Sequence, residues 1–120
     1  MKMKLLPIAL LFTTLNLSAA PTAQELLEEK CTYCHMTSSS TKTRSDKIVA
    51  PPMWGVMKKM RENFKTDDEA INFLVDYSMN PSEDKMIFPA ATKEYFGLMP
   101  SLKGKASKEE LEIIAKYLYK

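Results

Sequence analysis

The chain has 120 residues, room for one domain at most. Its 17 basic and 15 acidic residues give a net charge of +2, which offers no argument for a nucleic-acid partner. Two cysteines and one histidine are its whole stock of sulfur and imidazole groups of that kind, too few for a four-ligand structural zinc site of Cys and His.

The chain opens with a basic stretch carrying Lys2 and Lys4. An apolar run over 5–17 follows, broken only by Pro7, Thr13, Thr14 and Asn16, and then the small residues Ser18, Ala19 and Ala20. This is the order of a cleaved secretory signal peptide. The expected division is a leader over 1–19 and a mature domain over 20–120, with the cut after Ala19 or Ala20. The alternative is an uncleaved anchor facing the periplasm. The apolar run is short for a span of about 20 residues and carries hydroxyl and amide side chains. Loss of Lys2 and Lys4 with the leader leaves 15 basic and 15 acidic residues, a formally neutral mature chain in the periplasm.

Thr22 and Glu25 have the capping-box spacing, and a short helix is expected over 24–30 with acidic residues early and Lys30 at its end. It runs into Cys31-Thr32-Tyr33-Cys34-His35, the attachment signature of a c-type haem. Two residues between the thiols let Cys31 and Cys34 reach the two vinyl groups on one porphyrin edge, and His35 follows as the proximal iron ligand. The plainer readings fit less well. A thioredoxin-like pair belongs inside a βαβ pattern, which is missing before it. A disulfide across so short a loop would constrain little of the unfolded chain.

The stretch 37–46 is rich in Ser and Thr and reads as a solvated loop. At Pro51-Pro52 the chain cannot be inside a helix. Either proline carbonyl could accept a hydrogen bond from the second ring nitrogen of His35 and orient it; a plain turn into the next helix is the other reading. Met53, Val56, Met57, Met60 and Phe64 recur at helical spacing over 53–64. Thr66 and Glu69 form a second capping box, opening a helix that Asn80-Pro81 ends. Its apolar residues are Ala70, Ile71, Phe73, Leu74, Val75 and Tyr77. The stretch 82–105 is irregular, with a helical turn over 92–96, and Ser107 with Glu110 opens a last helix carrying Leu111, Ile114, Ala115 and Leu118. No stretch alternates as a strand does, so the expected fold class is all-α.

One histidine leaves the sixth iron position to another group. Met99 is the best candidate, since Pro100 holds its backbone out of helix and its loop lies just ahead of the last helix. Met86 and then Met79 are its rivals, as both flank irregular backbone. Thioether ligation favours ferrous iron and raises the potential, which suits an electron carrier.

Cys31-Thr32-Tyr33-Cys34-His35 after a short helix, Pro51-Pro52 followed by Gly55, a middle helix, Met99-Pro100 and a C-terminal helix together resemble a class I cytochrome c over the whole mature chain. The first helix departs from that pattern in having no glycine, while Tyr117 offers the aromatic of the last helix. The resemblance implies a compact helical domain whose first and last helices cross. It also implies one haem c joined through Cys31 and Cys34, His35 and Met99 on the iron, and Pro51 or Pro52 orienting His35. The expected protein is a monomeric, non-enzymatic electron carrier meeting redox partner proteins transiently, with Lys58, Lys59, Lys93, Lys103 and Lys105 as candidate docking charges. The alternatives are a catalytic or sensing haem domain with a labile sixth ligand, and a haem subunit of a larger oxidoreductase.

Overall fold

The computed structural model of the chain describes residues 19–38, 43, 45 and 47–120. The expected leader, apart from Ala19, and most of the Ser/Thr-rich loop lie outside the described residues. Among those described, all regular structure is helical: α1 (Ala23–Lys30), α2 (Met53–Asn63), α3 (Asp67–Met79), α4 (Ala90–Phe96) and α5 (Lys108–Leu118), with one 3-10 turn at Glu83–Lys85. None of these helices is long and apolar enough to cross a membrane.

The helix starts follow from local chemistry. The hydroxyls of Thr22, Thr66 and Ser107 accept from the N–H groups of Glu25, Glu69 and Glu110, and each glutamate carboxylate accepts the N–H of its cap residue. Each pair thus satisfies two backbone donors left over at a helix start. α2 and α4 begin instead after prolines, Pro52 and Pro89, whose extended backbone sits at ψ 150 and ψ 155. α4 is longer than the expected 92–96 turn, because Pro89 rather than Thr92 opens it: the Pro89 carbonyl accepts from both Thr92 and Lys93, and Ala90 and Ala91 are good helix formers. Phe64 leaves the helix as an extended cap residue, and its ring centroid lies 4.9 Å from that of Phe73.

α5 is the element around which the core closes: both α1 and α3 pack on it. It contributes Leu111, Ile114 and Ala115, each at most 1% exposed. Against them lie Leu26 and Leu27 of α1, Ile71 and Val75 of α3, and Met53 and Met57 of α2. Lys30 adds a polar tie at the α1 end, donating from Nζ to the Lys105 carbonyl at 2.8 Å, with Glu110 at 4.0 Å. Truncating Leu111 to Ala should lower stability to urea by about 2–5 kcal/mol, and removing the Ser107 cap by Ser107→Ala by about 1 kcal/mol. A Leu111→Ala midpoint equal to the parent's would contradict the burial.

The Ser107 cap also makes a pH prediction. The Ser107 N–H, donated to the Glu110 carboxylate at 2.9 Å, holds that carboxyl below its ordinary 4.5, and Lys30 adds to the effect. A carboxyl whose folded pKa is lowered stabilises the fold above its unfolded pKa and loses that contribution as pH falls through the folded value. Urea midpoints measured down the acid limb should therefore fall less steeply below about pH 4.5 in Glu110→Gln than in the parent. Equal slopes would remove Glu110 from the acid response.

Candidate functional site

The end of α1 continues for one more turn. The Cys34 and His35 N–H groups both donate to the Cys31 carbonyl, at 3.3 and 2.9 Å. Residues three and four apart in such a turn share a side, so Cys31, Cys34 and His35 are presented together. Thr32, buried, donates its hydroxyl back to the Glu28 carbonyl and fixes the turn to the helix. Both cysteines are free and half-buried. Burial pushes the Cys31 thiol up to about 11, the opposite direction from the lowered thiols of reactive redox pairs.

The segment before α2 is laid against this turn: the Met53 N–H donates to the Met36 carbonyl at 2.7 Å, and His35 Nδ1 lies 2.6 Å from the Pro51 carbonyl. A carbonyl oxygen only accepts, so Nδ1 carries the proton. Burial lowers the pKa of the ring and so disfavours its charged form, with the Pro51 bond partly opposing. The assigned tautomer therefore leaves Nε2 with its lone pair available, the state a metal-binding imidazole needs. The two prolines have different tasks. Pro51 lines the cavity described next and takes the His35 bond. Pro52 does not line it, and its carbonyl accepts from Gly55 and Val56 to start α2.

Cys31, Cys34 and His35 form part of the wall of a largely apolar cavity of about 770 Å³, within the size range of small-molecule and cofactor sites. Its wall is assembled from every helix. α3 contributes by presenting two apolar faces: Ala70, Ile71 and Val75 are buried in the helical core, while Phe73, Leu74 and Tyr77 line the cavity. A single apolar face is what the sequence pattern suggested; two stripes on one helix are the signal that it serves two partners.

Four methionines line the cavity, Met53, Met60, Met86 and Met99. Met79 does not, and packs instead against the helical core. Met53 and Met60 belong to α2 and are buried, whereas Met86 and Met99 project from irregular backbone and are half-buried. Met99 follows Gly97, the cap of α4, which sits at φ 74 and ψ −165. That backbone region is open essentially to glycine alone, at about 1–3 kcal/mol for other residues. Gly97→Ala should accordingly lower the urea stability by about that amount; an unchanged midpoint would mean that the chain turns toward Met99 without the positive φ.

Among the described residues no three His, Cys, Asp or Glu side chains come together to hold a bare metal ion. A haem makes a different demand: two thiols, one neutral imidazole, a second soft donor and an apolar enclosure. The cavity's residues fit that demand. Lys30 and Lys105, joined by the Lys30 Nζ to Lys105 carbonyl bond, also border the cavity. No local motif marks this pair, because the two residues are 75 positions apart.

No family model matches the chain, and no solved structure matches it. It is 30% identical over 106 residues to an uncharacterized protein of Aquifex aeolicus (strain VF5), across 79% of this chain and 70% of that one. The chain belongs to the same family as that protein.

Proposed function

We propose that the mature chain is a periplasmic monohaem c-type cytochrome, similar to class I cytochromes c, that carries one electron at a time between redox complexes. The observation that carries the reading is the His35 ring, held at Nδ1 by the Pro51 carbonyl at 2.6 Å and lining the same apolar cavity as Cys31, Cys34 and Met99. In this reading Cys31 and Cys34 would hold the haem by thioether bonds, and His35 and Met99 would bind its iron. When bound, haem iron supplies a one-electron ferric/ferrous couple.

The chain's own residues do the rest. Pro51 fixes the His35 ring and makes it a stronger donor. The apolar wall from α2, α3 and α5 keeps water from the site. Partners would meet the protein beside the cavity mouth. Of the lysines considered for docking, Lys58 and Lys59 are within ion-pair distance of Glu62, and Lys93 of Glu83. Lys105, which borders the cavity, is the best placed of the set.

Absorption spectra of the exported protein, oxidised and reduced, for parent and Met99→Ala test the reading. The expected result is a c-type reduced spectrum, with a weak red-region sulfur-to-iron band in the oxidised parent that Met99→Ala loses. A band that survives in the variant moves the ligand to another methionine, with Met86 the first to test. A high-spin parent that responds to carbon monoxide or peroxide favours a catalytic or sensing domain. Protein without covalent haem ends the proposal.

A further inference from the structure

The end of α3 holds both irregular segments that bring a methionine to the cavity. The last carbonyls of a helix lack partners inside it, and here three successive ones are taken from outside. The Ser78 carbonyl accepts the Leu102 N–H at 2.9 Å, and the Met79 carbonyl accepts the Ser101 hydroxyl at 2.6 Å. The Asn80 carbonyl accepts Lys85 Nζ at 3.0 Å, with the same ammonium 2.8 Å from Asp76. Lys85 precedes Met86, and Ser101 follows Met99 by two residues.

The two ties are unequal. Met86 is held beside a charge-assisted contact, the stronger kind. The Met99 loop turns at Gly97 with φ 74 and is pinned at its other end by one neutral hydroxyl and one backbone N–H. The Ser101 oxygen also accepts the Lys103 N–H at 3.2 Å, which fixes the hydroxyl in place. A loop with a permissive residue at one end and a hydrogen-bonded clamp at the other keeps its side chain in one position only while the clamp is closed.

We infer that Ser101 is a positioning residue, its hydroxyl latching the Met99 loop to the end of α3 so that the Met99 thioether holds the sixth iron position against competing ligands. This rests on the haem reading above, and imidazole, which competes with a thioether for ferric iron, is the probe. Weakening one net hydrogen bond of the latch corresponds to roughly a three- to tenfold change in the competing equilibrium. Ferric Ser101→Ala should therefore keep covalent haem yet bind imidazole about three- to tenfold more tightly than the parent, followed by loss of the sulfur-to-iron band. Ser101→Thr, which keeps the hydroxyl, should restore the parent midpoint. Ser107→Ala, which weakens the α5 cap without touching the loop, should lower urea stability and leave the imidazole midpoint unmoved.

An imidazole midpoint in Ser101→Ala equal to the parent's, with a parent band that depends on Met99, overturns the latch while leaving the haem reading intact. Equal shifts in Ser101→Ala and Ser107→Ala also overturn it, since they would report general loosening. No covalent haem removes the functional reading and the latch together, whereas a band independent of Met99 overturns the latch and leaves the haem reading with another methionine as ligand.

Discussion

His35 has a backbone carbonyl as its partner at Nδ1, and that one bond sets what the ring can do. Because the Pro51 oxygen accepts and never donates, the proton is placed on Nδ1 and the lone pair on Nε2. Because the ring is half-buried, its charged form is disfavoured. Pro51 can serve this way only because Pro52 takes over the start of α2, leaving the preceding carbonyl free. Two adjacent prolines thus divide the work between a helix start and an imidazole. The Met53 to Met36 backbone bond keeps the two segments in register.

The cavity and the helical core are built from the same elements, and Met53, Leu111 and Ile114 belong to both. α5 buries Leu111, Ile114 and Ala115, and α1 and α3 close on it. Further apolar residues of α2 and α3, among them Met60, Phe73 and Tyr77, line a cavity of about 770 Å³. In a domain this small, an apolar body in that space would enlarge the buried surface considerably. The helical core and the cavity thus share α5 as their common support.

Charge plays a local part. Several exposed ammonium groups lie beside carboxylates, including those of Lys58, Lys59 and Lys116. Pairs of that kind contribute little to stability, but they lower the net positive field available for steering a partner. Lys30 acts differently. Its side chain is 18% exposed and its contact with the Lys105 carbonyl ties the turn bearing the two thiols to the start of α5.

Much of the local structure was legible in the sequence, because its causes are local. Thr22, Thr66 and Ser107 each carry a glutamate three residues on, and the helices begin there. The Cys31-to-His35 spacing and Pro100 after Met99 single out residues that the structure brings to one cavity. What the sequence left open was settled by contacts between distant residues. Only packing decided that Pro51 rather than Pro52 meets His35, that Met79 faces the core while Met86 and Met99 face the cavity, and that α3 has two working faces. The Ser101 to Met79 and Lys30 to Lys105 bonds join positions 22 and 75 residues apart. Periodicity and capping rules act over a few residues and carry no information at that separation, so the tertiary fold alone could bring these groups together.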